Sequence, residues 1–255
     1  MRENPVKAKL RSGQPTWGTF VFEFNTTGIA RIAAEAGAEF VLFDMEHTGW
    51  SIETIRMLMA TTPASIVPLV RVPAADYHFI ARVLDVGAMG IMVPMVESVE
   101  QAQRIVRAAK YPPQGRRGAA FGVAHDDYHA GDIIQSMAGA NREQILIAQI
   151  ETVAGLECVE QIAAVEGIDV LWIGQFDLTS SLGIPGQFDS DEFKGAVERV
   201  SRACQQHGKT AGFMSLSAEE ATRMCSAGFK MQAIGGDLWL YQQALADQLR
   251  AVRKE

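Results

Sequence analysis

Ile145-Leu-Ile-Ala-Gln-Ile-Glu151 and its counterpart Val170-Leu-Trp-Ile-Gly-Gln-Phe-Asp177 decide how this chain is read. Each is a short apolar run, rich in β-branched residues, that ends at a carboxylate. Runs of this kind are strands of a parallel sheet covered on both faces. A helical pattern from Val153 to Val165 separates them. Glu151 and Asp177 therefore emerge together at the carboxyl edge of neighbouring strands, where α/β enzymes keep their chemistry. Oxygen ligands without a Cys or a second His beside them suit a hard divalent ion such as Mg²⁺ or Mn²⁺, which keeps positions open for water and substrate. The plain structural alternative is helix capping, since Asp177 precedes Leu178-Thr-Ser-Ser-Leu182.

Outward from this pair, strand-like and helix-like runs alternate eight times. The strands read as Thr16–Phe22, Glu39–Asp44, Ser65–Val72, Gly90–Met95, Ile145–Glu151, Val170–Gly174, Thr210–Met214 and Met231–Gly235. Amphipathic stretches near 26–36, 52–61, 76–86, 98–109, 153–165, 191–207, 217–227 and 237–253 follow them, with Asn25, Ser51, Ser98 and Ser217 as N-caps. Eight βα units in 255 residues predict a single α/β domain over 1–255, a (β/α)8 TIM barrel. An open doubly wound sheet would carry a Gly-rich phosphate loop after its first strand, and Phe20-Val-Phe-Glu-Phe-Asn25 is no such loop. One long interruption, Tyr111–Arg142, holds His125 and His129 and reads as a lid, a subunit contact or an acceptor-binding loop.

Composition removes several classes of function. The net charge of −7, from 23 basic and 30 acidic residues, is dispersed, and no basic stripe tracks phosphates, so nucleic acid is not an expected partner. Cys158, Cys204 and Cys225 are widely spaced within helical patterns, as expected for reduced thiols in the cytoplasm. No run of 18 apolar residues occurs, and Met1–Leu10 is too charged for a signal peptide, so neither a membrane nor export is expected.

The other strand ends supply the groups that a metal site needs around it. Asp44-Met-Glu-His47 brings an imidazole that shuttles protons near neutrality. Arg71 ends an apolar strand, where its guanidinium needs an anion: a substrate oxygen, or structurally Asp44 or Glu46. Gln149 faces the same side as Glu151 by strand alternation and offers its amide to a substrate oxygen. The backbone at Gln175 and Phe176 offers N–H groups to a small carboxylate, and Trp17 on the first strand roofs the pocket or packs in the core. A Schiff-base aldolase needs a lysine inside its barrel. Every lysine here lies at the N-terminus, in or at the end of a helical run, or just before a strand. Carbanion chemistry would thus rest on a metal.

Asp44-Met-Glu-His47, Val70-Arg-Val-Pro73, Asp85-Val-Gly87, Val93-Pro-Met95, Tyr111-Pro-Pro-Gln-Gly-Arg-Arg-Gly118, Gln149-Ile-Glu151 and Gly174-Gln-Phe-Asp-Leu178 follow in order over nearly the whole chain. Together they resemble the class II pyruvate aldolases of the 4-hydroxy-2-oxoheptane-1,7-dioate and 2-dehydro-3-deoxyglucarate aldolase type. The resemblance implies a barrel assembled as a homo-hexamer, with Mg²⁺, Mn²⁺ or Co²⁺ held at Glu151 and Asp177. It implies His47 as base, Arg71 as charge stabiliser, Gln149 and the Phe176 backbone as pyruvate contacts, and Asp85 as the aspartate that raises the basicity of the histidine. The expected reaction is reversible cleavage of a 4-hydroxy-2-oxo acid to pyruvate and an aldehyde. The alternatives are a thioester lyase of the citrate lyase β-subunit type and a catalytically silent barrel that binds a keto acid. Two points stand apart from the family pattern. Asp85 precedes the fourth strand, at the face away from the site, so either a neighbouring subunit supplies it or the role does not transfer. Gln175 and Phe176 replace the usual Pro-(Ser or Ala), which reshapes the pocket beside the pyruvate carboxylate.

Overall fold

A computed structural model describes residues 2–253. Strands β1 (Thr16–Val21), β2 (Phe40–Asp44), β3 (Val67–Arg71), β4 (Gly90–Val93), β5 (Ile145–Ile150), β6 (Val170–Ile173), β7 (Thr210–Ser215) and β8 (Phe229–Gly236) close in sequence order into a parallel barrel. The predicted (β/α)8 barrel is thus the observed fold. Helices α1 (Pro5–Arg11), α2 (Ile29–Glu35), α3 (Ile52–Thr61), α4 (Tyr77–Asp85), α5 (Val99–Ala109) and α6 (Ile133–Glu143) lie before β5. After it come α7 (Val153–Glu157), α8 (Val159–Ala163), α9 (Gln175–Ser181), α10 (Asp191–Gln206), α11 (Ala218–Ser226) and α12 (Asp237–Arg253).

Strand alternation sorts the apolar residues into two cores. One lies inside the barrel and includes Phe40, Leu42, Val67, Leu69, Ile145, Ile147, Val170 and Trp172. The other, with Val41, Phe43, Val70, Leu146, Ala148, Ile150 and Leu171, is packed beneath the helices. Asp44, Arg71 and Gln149 continue the inward phase of their strands, so the period of two delivers them into the barrel mouth. At the opposite end, α1 inserts Val6 and Leu10 into the interior core. Lys7 there bonds Asp169 at 2.9 Å. That plugging helix was not expected from the sequence.

Two local expectations are corrected. Ser51, Ser98 and Ser217 do cap their helices through their side chains, but Asn25 caps nothing. The α2 N-cap is Gly28, because the Asp237 carboxylate draws in the N–H groups of Phe22, Glu23 and Phe24 at 2.9, 3.0 and 2.6 Å and delays the helix. The predicted helix 153–165 is two short helices that meet at Cys158.

The last barrel helix is the outlier of the architecture. Asp237 is the buried residue of α12, while Trp239, Leu240, Tyr241, Leu245, Leu249 and Val252 are exposed. An apolar groove of about 610 Å³, lined by Trp17, Ile29, Ile32, Ala33, Leu240 and Tyr241 among others, stays open beside it. Among the described residues no helix is long and apolar enough to cross a membrane.

Candidate active site

The ends of β2, β3, β5 and β6, with the opening turn of α9, converge on one cavity of about 240 Å³ at the carboxyl mouth of the barrel. His47, Arg71, Gln149, Gly174, Phe176 and Asp177 all line it. No lysine is among its lining residues. Glu151, 2% exposed, lies beside it. One Glu151 oxygen accepts the Met95 N–H at 2.7 Å and the other accepts from Gln149 Nε2. Met95 holds a left-handed φ of 53°, a sparsely populated conformation for a side chain of its size, in the turn that aims this N–H at the carboxylate. Gly174 is required by the same crowding, since a Cβ there would lie 2.7 Å from Gln149 Nε2 and collide with Glu151.

Glu151 and Asp177 are not helix caps. Thr152 caps α7 and Gly174 precedes α9, which places Asp177 in the first turn of that helix. Burial, together with the nearby Glu46 and Asp177 carboxylates, pushes the Glu151 carboxyl up to about 7. Burial also raises Glu46, beyond what Arg71 and His47 offset. Three acidic groups thus share a site with little free positive charge, and Gln149 Oε1 is buried with no hydrogen-bond partner among the described residues. These features fit a divalent cation: carboxylate oxygens of the right chemistry, a buried acidic group that Arg71 and the Met95 N–H only partly offset, and a spare oxygen donor. Among the described residues no three His, Cys, Asp or Glu side chains converge as a complete ligand set. An ion held here would therefore take further ligands from water or substrate, as Mg²⁺ and Mn²⁺ do.

Arg71 is clamped. Its Nε donates to Asp44 Oδ1 and its Nη1 lies 3.0 Å from Glu46 Oε2, so both carboxylates considered as structural partners are indeed bound to it. The guanidinium also sits over the rings of Phe20 and Phe22, at 5.3 and 5.9 Å. Nη2 makes no hydrogen bond among the described residues and is the part of the fork left for a ligand. Asp44 further accepts the His47 N–H at 2.9 Å, which orders the turn carrying the imidazole. The His47 side chain is 58% exposed, with Nε2 3.7 Å from Glu46 Oε2. Glu46 bridges arginine and histidine, a role the sequence reading did not assign although the residue lies two positions beyond Asp44, in the same phase.

Other expectations are displaced. Trp17 does not roof the pocket: it alternates outward near the start of β1 and lines the groove beside α2 and α12. The aromatic walls are instead Phe20, Phe22, Trp172, Phe176 and Trp239. Gln149 spends one N–H on Glu151, leaving its second for a ligand. Gln175 is buried and donates to Met214 O at 2.9 Å, whereas Phe176 turns to the rim against Phe188, ring centres 5.4 Å apart. Asp85 ends α4, at the face where β4 begins, and bonds Arg117 at 2.6 and 3.2 Å. Within one chain it is at the far end of the barrel from His47. His125 is buried on that side beside Tyr111 and Asp126, at 3.4 and 3.3 Å, and His129 folds onto Asp127 O, so neither contacts the cavity.

Comparison with known proteins agrees with this geometry. The family model described as HpcH/HpaI aldolase/citrate lyase matches residues 18–244. A hydroxypyruvate/pyruvate aldolase of Delftia acidovorans is 36% identical over 252 residues, covering 98% of this chain and 93% of its own. A 2-keto-3-deoxy-L-rhamnonate aldolase of Escherichia coli is 35% identical over 247 residues, covering 96% of this chain and 92% of its own. The crystal structure of an HpcH/HpaI aldolase from Desulfitobacterium hafniense matches with a TM-score of 0.93 at 32% identity, over 98% of this chain and 97% of that one. The family match takes in every residue that lines the cavity, and the chain belongs to the HpcH/HpaI aldolase/citrate lyase family as a carbon–carbon lyase of the class II pyruvate aldolase kind.

Proposed function

We propose that this protein is a divalent-metal-dependent aldolase that cleaves a 4-hydroxy-2-oxo acid to pyruvate and an aldehyde and runs the addition in reverse. The observation that carries the reading is the pairing of Glu151, a buried carboxylate raised to about 7 that Arg71 only partly offsets, with Asp177 at the rim beside Arg71, Gln149 and His47. Glu151 and Asp177 would hold Mg²⁺, Mn²⁺ or Co²⁺, which when bound supplies Lewis-acid polarisation of the substrate 2-oxo group. The second amide N–H of Gln149 and the backbone N–H at Phe176 orient pyruvate. Arg71, through Nη2, steadies negative charge on the substrate oxygen. In cleavage His47 takes the proton from the 4-hydroxyl, and in addition it takes one from the pyruvate methyl group.

Self-association belongs to the same reading. Leu240, Tyr241, Leu245, Leu249 and Val252, exposed on α12 beyond the cavity, and the open groove beside β1 support a homo-oligomer in which copies cover one another, with a hexamer as the assembly proposed and a neighbour's Asp85 brought to His47. Free cysteines, with the buried Cys204 thiol pushed up to about 12, suit the reducing cytoplasm.

Pyruvate release from a panel of 4-hydroxy-2-oxo acids, with and without chelator, tests the proposal. We expect release that EDTA abolishes and added Mn²⁺ or Mg²⁺ restores. Full activity after exhaustive EDTA treatment, together with irreversible inactivation by borohydride plus pyruvate, would replace it with imine chemistry.

A further inference from the structure

The acceptor end of the cavity differs in character from its floor. Gln149, Glu151 and Arg71 are 3%, 2% and 6% exposed and form a polar floor. Nearer solvent the walls are aromatic. Phe22 stacks on Phe20, ring centres 5.2 Å apart and planes at 13°, and receives the Trp239 edge at 5.1 Å and 60°. Phe176 closes the rim. Trp239 and Phe176 line the cavity and are 40% and 47% exposed, so part of each ring is accessible at its mouth. We propose that the aldehyde partner is neutral and carries an apolar or aromatic substituent, held between the Phe22–Trp239 wall and Phe176. This assignment rests on the aldolase reading above.

Asp237 builds the wall. Its carboxylate, 7% exposed, accepts the N–H groups of Phe22, Glu23 and Phe24 and so ties the end of β1 to the start of α12. Phe22 and Trp239 come from opposite ends of the chain and are set edge to face by this one residue, which acts as a positioning residue.

Charge decides which aldehydes are refused. Arg71 is the lining residue with a fixed positive charge, and Asp44 and Glu46 already engage it. A second carboxylate on the aldehyde would meet Asp177 at the rim, with no cation among the lining residues beyond the already engaged Arg71 to receive it. A polyhydroxylated aldehyde would lay hydroxyl groups against aromatic faces that offer no hydrogen-bond partner. In the addition a pyruvate methyl C–H yields its proton to the base, its electron pair forms the new C–C bond, and the aldehyde oxygen takes up a proton. No electrons are gained or lost overall, and the substituent passes through unchanged. Its recognition is therefore left to the walls.

The test compares benzaldehyde, glyceraldehyde and succinic semialdehyde as acceptors at saturating pyruvate and Mn²⁺, with deuterium incorporation into the pyruvate methyl group measured separately without aldehyde. We expect kcat/KM for benzaldehyde to exceed that for either other acceptor roughly tenfold or more, the scale of one buried aromatic contact. Trp239→Ser and Phe176→Ser should each shrink that ratio. If deuterium exchange proceeds but glyceraldehyde or succinic semialdehyde is used as well as benzaldehyde or better, the acceptor assignment alone is overturned, as it is by an unchanged ratio in both variants. Absence of exchange overturns the aldolase reading and this assignment with it.

Discussion

Replacing Glu151 with Gln should make the metal-free protein more stable while it abolishes the aldol reaction. The introduced glutamine retains an oxygen for the Met95 N–H, and its amide N–H replaces the oxygen that now faces Gln149 Nε2. A half-turn of the Gln149 amide would then present Gln149 Oε1, at present buried without a partner, to that new donor. Packing is preserved and a buried charge is removed. The magnitude follows from the carboxyl being raised from 4.5 to about 7. At ~1.4 kcal/mol per tenfold change in proton affinity, the ionised form costs about 3 kcal/mol in the folded state. The sign is set by linkage: with the folded value above the unfolded one, the native state binds the proton more tightly, so wild-type stability falls as pH rises from 4.5 through about 7 and is level above. Thermal melts of both proteins in EDTA at pH 5 and pH 8.5 check this. At pH 8.5 the variant should melt roughly 10 °C higher, at about 2–4 °C per kcal/mol for a chain of this size, and at pH 5 the gap should nearly close. Added Mn²⁺ should raise the wild-type melt and leave the variant unmoved. A variant that melts below wild type at pH 8.5, or a gap equal at both pH values, would refute the claim that burial disfavours the ionised Glu151 carboxylate.

Other expectations concern separate parts of the molecule. His47→Ala should retain metal binding by calorimetry and lose roughly 10²–10⁴ in rate, whereas Asp177→Ala should lose the metal as well; wild-type turnover by His47→Ala would remove it as the base. Mixing poorly active His47→Ala and Asp85→Asn proteins under conditions of demonstrated subunit exchange should recover part of the activity, and no recovery would leave Asp85 as the structural partner of Arg117 alone. Leu245→Glu with Leu249→Glu on the exposed face of α12 should shift the particle towards monomer in analytical ultracentrifugation; an unchanged assembly would show that α12 is not part of it. Burial beside Lys7, Arg11 and Arg117 depresses Lys110 to about 7. The unfolded chain thus binds the proton more tightly, and wild-type stability relative to Lys110→Gln should rise between pH 7 and about 10, with a flat difference across that window counting against the assignment.

The eight strands were legible because each is a short apolar run ending in polar residues, and parallel strands buried on both faces leave that signature whatever their neighbours. Glu151, Asp177, Arg71, Gln149 and His47 were legible for the same reason: a strand end fixes which edge a residue reaches, and alternation fixes whether it faces inward. Trp17 shows the limit of that logic. An aromatic on the first strand suits either face, and a one-residue difference in phase sends it to the outer groove while Phe20 and Phe22 take the pocket. The displacement of α2 from Asn25 to Gly28 was not legible either, since its cause, Asp237, lies at the other end of the chain.

The sequence by itself thus determined the barrel, the carboxyl-end rim at which the cavity opens, and the residue types delivered there, all of which follow from local periodicity. Only the tertiary structure decided that Arg71 is held by Asp44 and Glu46, that Glu151 is withdrawn from water and its carboxyl raised to about 7, that Phe22 meets Trp239, and that α12 leaves most of its apolar residues uncovered. These depend on distances between residues remote in sequence, and on how far each group is withdrawn from water, which strand and helix patterns do not encode.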